Sequence, residues 1–292
     1  MHQISLIIVS FNIKKHLAAC LQSVFSCNTG AVKEIIVVDN ASTDDTASLP
    51  ELKFPNVKLI QNADNIGFAR ACNQGLAQAK GEFVLFLNPD TILGDDALNK
   101  CLAFFSSHPD AGALSVRMVD GNGKYLKESK RGFPTLWASF WKMSGVCRIF
   151  PGSKFFSAYY MGHIDETETA EVDVLSGAFM MMPVRLAQDL GGFDERFFMY
   201  AEDIDLSRRI IEKGFKNYYL GNVYIRHLKG GSTAKKSAAY TRQFYLAMEQ
   251  YVEKYNGDKP LRKAVLLTAI KLTTALAHIK RLIKNAISQQ AA

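Results

Sequence analysis

What the sequence lacks excludes several common classes of protein. Its five cysteines form no CxxC pair and no cluster with histidine, and their odd number fits reduced thiols in a cytosolic protein better than a disulfide framework or a zinc site. No glycine follows the first predicted strand, so the GxGxxG turn of dinucleotide-binding proteins is missing, and no GxxxxGK(S/T) loop occurs. The chain is therefore neither an ordinary NAD-binding Rossmann enzyme nor a P-loop NTPase.

Acidic residues are missing from the C-terminal segment. From Lys259 to the end the sequence has seven Lys and Arg residues and no Asp or Glu, so this segment accounts for the whole net charge of +7. A basic excess confined to one segment predicts an anionic surface as its partner and argues against a general nucleic-acid-binding protein.

The first residues lead directly into the apolar stretch 4–9, without the basic lead or the cleavage site of a signal peptide. We therefore interpret this stretch as a buried strand and expect a cytoplasmic protein. With 292 residues and 48% hydrophobic content, the chain can bury a full core, either as one large α/β domain or as one domain with an appendage.

Apolar runs alternate with helical patterns through the first half of the chain. Continuous apolar runs such as residues 34–38 are typical of parallel strands buried on both faces, and their alternation with helices predicts right-handed βαβ units. Sheets of this kind bind ligands beyond the carboxyl ends of their strands. Strands are predicted at 4–9, 34–39, 57–60 and 82–87, and helices at 13–25, 43–49, 66–80 and 95–106.

The second half is less regular. A hairpin turn is predicted at 120–123. Residues 130–170 mix aromatic, basic and glycine residues without a clear period, and we interpret them as an insertion on the side of the site where an acceptor substrate would bind. Further strands are predicted at 171–175, 178–182 and 217–226, and further helices at 184–190, 202–213, 237–255 and 261–287.

Three polar clusters carry the candidate functional residues. Residues 39–44 read DNASTD, residues 88–90 read NPD, and residues 202–205 read EDID. Each cluster alone also fits ordinary turn or cap chemistry, because Asp, Asn, Ser and Thr cap helices well and Asn-Pro favours a turn. Together, in this order, they predict a nucleotide site, a metal–diphosphate site and a catalytic base in one cleft.

A fourth segment, residues 65–75, opens a predicted helix. Gly67 would allow close approach of a backbone, and Arg70 would reach a phosphate. The alternative is a capped amphipathic helix with a solvated arginine, and local sequence favours that alternative.

In order and spacing, these motifs resemble the inverting, A-fold glycosyltransferases of family 2, and within them the rhamnosyltransferase-like branch. The resemblance spans residues 4 to about 232 and lies in the succession of motifs, since no single one is very specific. It implies a mixed, mostly parallel sheet flanked by helices, the nucleotide-diphospho-sugar transferase fold, with a C-terminal helical extension. The motifs are VSFN at 9–12, VDNASTD at 38–44, NIGFA at 65–69, LNPD at 87–90, LSGAF at 175–179, GFDERFF at 192–198, EDID at 202–205, and His227 before Gly230-Gly231-Ser232.

The resemblance also implies roles for residues on the donor side. Asp39 would contact the nucleotide base, and Asp90 would be the final acid of a metal-binding D-x-D element. Asn88 replaces the first acid of that element here, which leaves one anionic ligand. The implied cofactor is a divalent cation, Mg²⁺ or Mn²⁺, and His227 resembles a second ligand, with a histidine packed in a strand as the alternative. The donor-binding residues are Ser10, Asn12, Asp39, Asn40, Asn65, Gly67, Arg70, Asn88 and Asp90.

On the acceptor side, the resemblance matches Asp203 to the catalytic base, with Glu202 and Gly177 beside it. Read from local sequence, Asp203 and Asp205 are both acids of a first helical turn, which the helix dipole favours. Asp205 has Arg208 and Arg209 at i+3 and i+4 as ion-pair partners, whereas Asp203 has no local cation. We therefore expect a structural role for Asp205.

The expected function is transfer of a sugar, L-rhamnose from dTDP-rhamnose, to a saccharide or lipid-linked saccharide in bacterial surface polysaccharide synthesis. The donor follows from the branch resemblance alone. A UDP-hexose or UDP-N-acetylhexosamine transferase of the same fold is the alternative, and a non-catalytic nucleotide-sugar-binding module is the alternative from another class.

The C-terminal segment repeats apolar residues at helical spacing. Leu261, Val265, Thr268 and Leu272 begin a stripe that continues to residue 283 between basic residues. Charges interrupt each long apolar run, which excludes a transmembrane span. Either the helix lies on anionic lipid at the inner face of the cell membrane, or it packs on the body or on a second subunit as in a homodimer. We divide the chain into a catalytic domain, 1–232, and a helical basic extension, 233–292.

Overall fold

The computed structural model describes residues 2–27, 30–49, 53–54, 56–228 and 238–290. The strands in these residues are β1 (Ile4–Ser10), β2 (Val32–Asp39), β3 (Val57–Gln61), β4 (Phe83–Leu87), β5 (Thr91–Leu93), β6 (Ala111–Val119), β7 (Lys130–Arg131), β8 (Ala170–Glu171), β9 (Val174–Leu175), β10 (Phe179–Pro183) and β11 (Lys216–His227). Nine of them form one sheet in the order β3-β2-β1-β4-β10-β6-β11-β5, with β8 added to β11, while β7 and β9 pair separately.

Helices cover both faces of this sheet and extend beyond it. They are α1 (Lys14–Ser26), α2 (Phe68–Leu76), α3 (Ala97–Ser107), α4 (Leu136–Ser144), α5 (Val146–Ile149), α6 (Val184–Asp189), α7 (Glu202–Glu212), α8 (Ala238–Tyr255) and α9 (Pro260–Gln290). One core cluster joins α1 and α3 to one face, and a second joins α2, α6 and α7 to the other. The apolar strands are therefore covered on both sides, as their unbroken apolar runs predict.

The centre of the sheet is parallel. Strand β1 lies between β2 and β4 and runs parallel to both, with Ser10 opposite Asp39 and Ile8 opposite Leu87. All residues of β1 and β4 are buried. Their carboxyl ends meet at one edge, which is where the polar clusters at 39–44 and 88–90 begin.

Antiparallel and long-range strands bring later residues to the same edge. Strand β10 runs antiparallel to β4, so its start lies beside the end of β4, and the Asn88 amide donates to the carbonyl of Ala178 at 3.0 Å. Strand β11 is parallel to β6 and ends at His227, opposite Thr91 of β5. The segment with Gly177 and the end of β11 therefore complete one cleft with the β1–β4 edge.

Most predicted elements are confirmed within a few residues, but two predictions are wrong, and five elements were not predicted, namely β5, β6, β7, α4 and α5. The short helix predicted at 43–49 is wrong, because residues 43–48 form turns in which Asp44 accepts hydrogen bonds from Thr46. The single strand predicted at 171–175 is two short strands that pair with different partners, β8 with β11 and β9 with β7. In both places side-chain or long-range pairing decides the backbone path, and sequence periodicity does not report it.

Helix α8 packs on the body of the protein. Ala247 and Tyr251 are buried against Phe197 and Ala201, next to the start of α7. The boundary predicted at 232/233 lies outside the described residues, as do Gly230, Gly231 and Ser232. The division into two domains stays a prediction, although α8 contacts the first of them closely.

Helix α9 leaves its apolar stripe exposed where its side chains are described. Leu261, Val265 and Leu272 are exposed, while Ile270, on the other side of the helix, is buried and the Tyr245 hydroxyl of α8 donates to the Thr273 carbonyl at 3.4 Å. The stripe therefore faces away from α8. None of the described helices combines the length and apolar character needed to span a bilayer.

Candidate active site

A cleft of about 430 Å³ opens at the carboxyl edge of β1, β4 and β11. Backbone strain concentrates beside it: Asn12, Ala41, Tyr200 and Ala201 all have positive φ although none is glycine. Such conformations are costly and persist where the surrounding structure holds them, often at functional sites. The cleft brings together ten of the predicted site residues, namely Ser10, Asn40, Asn65, Gly67, Asn88, Asp90, Gly177, Glu202, Asp203 and His227.

Asp39 and Asn12 lie behind the cleft wall and not in its lining. The Asp39 side chain is fully buried, and its carboxylate accepts hydrogen bonds from the Ser10 hydroxyl at 3.0 Å and from the Ser42 amide and hydroxyl at 2.9 and 2.6 Å. Asn12 accepts from the Thr43 amide at 2.7 Å. Both residues tie the loop after β2 to the end of β1, so in this conformation they shape the wall of the cleft.

The structure does not bring Arg70 into the cleft. Its Nε donates to Glu195 at 3.1 Å, and about half of its side chain is exposed. Arg70 lies one turn into α2, and its side chain reaches toward the 192–198 segment and away from the strand ends. The alternative of a solvated helix arginine describes it better than a phosphate ligand.

A close backbone approach surrounds Gly67. Its φ is +89°, and a Cβ at this position would lie 2.6 Å from the Phe198 carbonyl oxygen, which accepts a hydrogen bond from the Phe68 amide. The Asn40 side chain donates to the Gly67 carbonyl at 3.2 Å, and the Gly67 amide donates to Asn65 at 3.1 Å. Only glycine fits here, because any side chain would separate α2 from the segment that leads into α7.

Asp90 and His227 meet at the edge of the cleft. Asp90 Oδ1 lies 3.0 Å from His227 Nε2, and both side chains are nearly buried. Burial favours the neutral acid, yet the hydrogen bond and charge of His227 outweigh it and hold the pKa of Asp90 below its ordinary value. The carboxylate is therefore the stable form at neutral pH.

This pair has the chemistry of a divalent-cation site that is completed by a substrate. His227 Nδ1 is buried without a protein hydrogen-bond partner, and Asn88 lines the cleft beside Asp90. Among the described residues no three His, Cys, Asp or Glu side chains form a group that could hold a metal ion by themselves. One carboxylate and one imidazole suit an ion that takes its remaining ligands from phosphate and water, so the donor set fits Mg²⁺ or Mn²⁺.

Two carboxylates reach the cleft from the start of α7. Glu202 is buried, and its Oε2 has no protein hydrogen-bond partner. Burial, followed by the neighbouring charge of Asp203, raises the pKa of Glu202 to about 8. Glu202 therefore holds a proton at neutral pH.

Asp203 has a cationic partner that the local sequence does not reveal. Arg131 Nη2 lies 2.5 Å from Asp203 Oδ2, and the Gly177 amide donates to the same oxygen at 3.2 Å. Burial would lower the pKa of Arg131, but Asp203 and Tyr159 beside it outweigh burial and raise it. The expectation that Asp203 has no basic side chain as a partner is correct only for its own helix, because its partner Arg131 lies 72 residues earlier in the sequence.

Strand β7 positions Arg131. Lys130 and Arg131 pair with Leu175 and Val174 of β9, and the Arg131 guanidinium also donates to the Leu175 carbonyl at 2.8 Å. This segment belongs to the region without clear periodicity, so sequence reasoning missed Arg131. A two-residue strand has no periodic signal, and only its pairing with β9 shows where the arginine points.

Asp205 is enclosed by structural partners. It is fully buried, accepts from Arg209 Nε at 2.7 Å and from the Tyr255 hydroxyl at 2.6 Å, and forms an ion pair with Lys254. Arg208 pairs with Glu212 and not with Asp205. The ion-pair partner predicted at i+4 is therefore present, the one at i+3 is not, and α8 supplies the others.

Comparison with known proteins shows a family and a relative with which this chain shares sequence. Residues 5–191 match the sequence model described as Glycosyl transferase family 2. Over 244 residues, the chain is 31% identical to the N-acetylglucosaminyl-diphospho-decaprenol L-rhamnosyltransferase of Mycobacterium tuberculosis. The aligned residues cover 80% of this chain and 78% of that protein.

Two solved structures share the fold. S. aureus TarS 1–349 in complex with UDP-GlcNAc has a TM-score of 0.61 at 24% identity, covering 92% of this chain and 71% of that one. The mannosyltransferase PcManGT from Pyrobaculum calidifontis, in complex with GDP-Man and Mn²⁺, has a TM-score of 0.61 at 19% identity, covering 100% and 76%. At these identities the likeness concerns the fold alone, and it confirms the predicted α/β sheet flanked by helices.

Proposed function

This chain belongs to glycosyl transferase family 2 and is a glycosyltransferase, and from that premise we propose that it moves L-rhamnose from dTDP-rhamnose to a lipid-linked saccharide, with inversion. The name of the relative from M. tuberculosis contains both an L-rhamnosyl transfer and a decaprenol-linked saccharide, which supports this donor and this class of acceptor. The product would belong to a bacterial surface polysaccharide. The enzyme would work in the cytoplasm at the inner face of the cell membrane.

Asp203 is the general base in this proposal. A sugar hydroxyl is a poor nucleophile until its proton is removed, so a carboxylate must stand on the acceptor side. Arg131 forms an ion pair with Asp203, and the Gly177 amide donates to the same carboxylate oxygen, so the two contacts orient the side chain. The second oxygen is left to accept the proton of the acceptor hydroxyl as that hydroxyl attacks the anomeric carbon.

Asp90, His227 and Asn88 would hold the cation. When bound, a divalent cation supplies charge stabilisation for the leaving nucleoside diphosphate. The residues of this chain contribute the site itself: Asp90 as a carboxylate at neutral pH, and His227 held against it at 3.0 Å.

The donor nucleotide would lie along the β1–β2–α2 wall. Ser10, Asn40 and Asn65 line the cleft there, and Gly67 leaves the backbone without a side chain. Asp39 would act on the nucleotide base through this wall, since its carboxylate is bound to Ser10 and Ser42. A loop rearrangement on binding is required if Asp39 is to touch the base directly.

The observation that supports the proposal most is that Asp203 and the Asp90–His227 pair line one cleft. The first is a proton acceptor and the second a cation site, which are the two parts that single displacement at a diphospho-sugar needs. A nucleotide-sugar-binding module would need the second part only.

Thermal stabilisation by different donors tests the proposal. We expect dTDP-rhamnose with Mn²⁺ to stabilise the protein more than UDP-sugars or GDP-sugars do. At one hundred times its Kd, it should add about 2.7 kcal/mol to the stability of the ligand-free protein. Transfer to a polyprenyl-diphosphate-linked N-acetylglucosamine is then followed by mass spectrometry. Preference for UDP-N-acetylglucosamine would favour the hexosamine alternative, and binding without transfer to any saccharide would indicate a binding module.

A further inference from the structure

Six aromatic rings form one continuous cluster on the surface of residues 136–156. Neighbouring ring centroids lie between 4.8 and 6.2 Å apart. Four of the rings are 50–58% exposed, namely those of Trp137, Phe140, Phe150 and Phe155. We name this cluster the aromatic surface; its rings are Trp137, Phe140, Trp141, Phe150, Phe155 and Phe156.

The aromatic surface is more than ordinary exposed hydrophobic area. Single exposed apolar side chains are normal, but a contiguous patch marks an interaction site. Met143 and Ile149 extend it and are themselves exposed. Elsewhere among the described residues, exposed large apolar side chains are spread over several elements, so this concentration within one short segment calls for a partner.

The charge around the aromatic surface has one sign. Between Glu128 and Asp165 the sequence contains no acidic residue, while Lys142, Arg148 and Lys154 lie within the segment. Exposed aromatic rings flanked by lysine and arginine are typical of elements that lie in the interface of an anionic bilayer. A protein interface favours the same aromatic residues but is depleted of lysine. The composition therefore favours lipid over a protein partner.

The aromatic surface is connected to the acceptor side of the cleft. The Lys142 Nζ of α4 lies 3.5 Å from the ring centroid of Tyr159, and the Tyr159 carbonyl accepts a hydrogen bond from the Gly132 amide at 3.0 Å. Gly132 follows Arg131, the partner of Asp203. A bilayer that covers the aromatic surface would therefore lie against the segment that positions the candidate base.

From this geometry we infer that the aromatic surface docks on an anionic lipid bilayer and inserts its exposed rings into the interface. This contact is distinct from the membrane contact predicted for the basic C-terminal helix α9. The contact itself goes beyond the proposed function. Its use, which is to present the cleft to a lipid-linked acceptor, rests on that function.

Intrinsic fluorescence tests the inference directly, because Trp137 and Trp141 are the only two tryptophans of the chain. The full-length protein is mixed with vesicles of phosphatidylcholine and phosphatidylglycerol, and with vesicles of phosphatidylcholine alone. We expect a blue shift with the anionic vesicles, and quenching when their acyl chains are brominated. Failure to bind either vesicle, or binding without any change in tryptophan emission, would overturn the inference.

Matched variants locate the contact. Phe150→Ser with Phe155→Ser should weaken vesicle binding at least about tenfold, whereas Phe25→Ser, which removes an exposed ring from α1, should not. Binding that survives the double change and is lost when Lys263 and Lys271 are replaced by Glu would place the contact on α9 and overturn the inference.

Two further measurements complete the test. Each variant must keep its stabilisation by the donor nucleotide, which shows that the fold is intact and separates a failure of docking from a failure of the proposed function. Light scattering without lipid shows the oligomeric state. If Phe150→Ser with Phe155→Ser converts a dimer into a monomer, the occupant of the aromatic surface is a second copy of the chain, and the inference is wrong.

Discussion

The two sides of the cleft are built in different ways. On the side proposed to bind the donor, polar groups at successive strand ends form hydrogen bonds with each other, as the Ser10 hydroxyl does with Asp39 and the Asn40 side-chain amide with the Gly67 carbonyl. On the acceptor side, the decisive contact is an ion pair between Arg131 and Asp203, from distant segments. The donor side therefore follows from the topology of a parallel sheet, whereas the acceptor side depends on how a long insertion folds back.

Three carboxyl side chains in the first turn of α7 have the same functional group but lie in different surroundings. Glu202 is buried and protonated at neutral pH, Asp203 faces the cleft with Arg131, and Asp205 is buried with Arg209, Lys254 and Tyr255. Neighbouring carboxyl groups with different environments take different roles, one as a proton acceptor and another as a structural anchor. Single substitutions can test whether the three acids have these different roles.

The largest effect is expected from Asp203→Asn. This change removes the proton acceptor but keeps the shape, so kcat should fall by roughly 10²–10⁴-fold with donor binding retained. Asp205→Asn is the matched control, and it should lower the melting temperature more than the rate. The measurement is turnover at saturating donor and acceptor beside thermal unfolding. Near-normal turnover by Asp203→Asn would sink the assignment of the base.

Asp90→Ala tests the other side of the cleft. The variant should lose about 10²–10³-fold in kcat, because it lacks the carboxylate that would hold the cation, and the cation is what would stabilise the leaving diphosphate. Donor binding by the variant should no longer respond to Mn²⁺ in calorimetry, whereas binding by the unaltered enzyme should. Full activity of the unaltered enzyme in excess chelator would contradict the cation site.

An intermediate effect on kcat is expected from Arg131→Met, for which Arg70→Met is the matched control. Arg131→Met should lower kcat by about 10–100-fold, since Asp203 loses the group that orients it, with little change in KM for the donor. Arg70→Met should be close to normal, because Arg70 pairs with Glu195 outside the cleft. If Arg70→Met weakened donor binding and Arg131→Met left kcat unchanged, the assignment of Arg131 to the site and of Arg70 to its outside would be wrong.

The smallest effect is a pH dependence of stability from Glu202. The folded pKa of about 8 exceeds the ordinary value of 4.5, so between these values the folded state binds one proton more than the unfolded state. Stability from this group is therefore complete below about pH 4.5 and is lost as the pH rises to about 8, by at most about 1.4 kcal/mol per pH unit.

Glu202→Gln removes this titration. The variant should be more stable than the unaltered protein at pH 8.5, and the difference should shrink toward pH 5, as measured by urea unfolding at both values. An equal difference at both pH values would show that Glu202 does not hold a proton in the folded protein.

Several site residues were predictable because they follow recognisable strands. Ser10 and Asn88 end or follow apolar runs of high regularity, so their arrival at one edge requires only parallel pairing. Asn12, Asp39 and Arg70 were assigned to the donor, but only tertiary structure shows which way their side chains point. Asp39 turns into a hydrogen-bonded loop and Arg70 toward Glu195, and neither choice has a signature in the order of residues.

The sequence by itself determined the strands, the order of polar clusters along the chain and the family that this order resembles. These follow from periodic burial and from turn chemistry, which act over a few residues. Only the tertiary structure decided that Arg131 faces Asp203, that Glu202 is buried enough to keep a proton, and that the apolar stripe of α9 faces away from α8. The physical reason is that ion pairing, desolvation and packing depend on which distant segments meet in space.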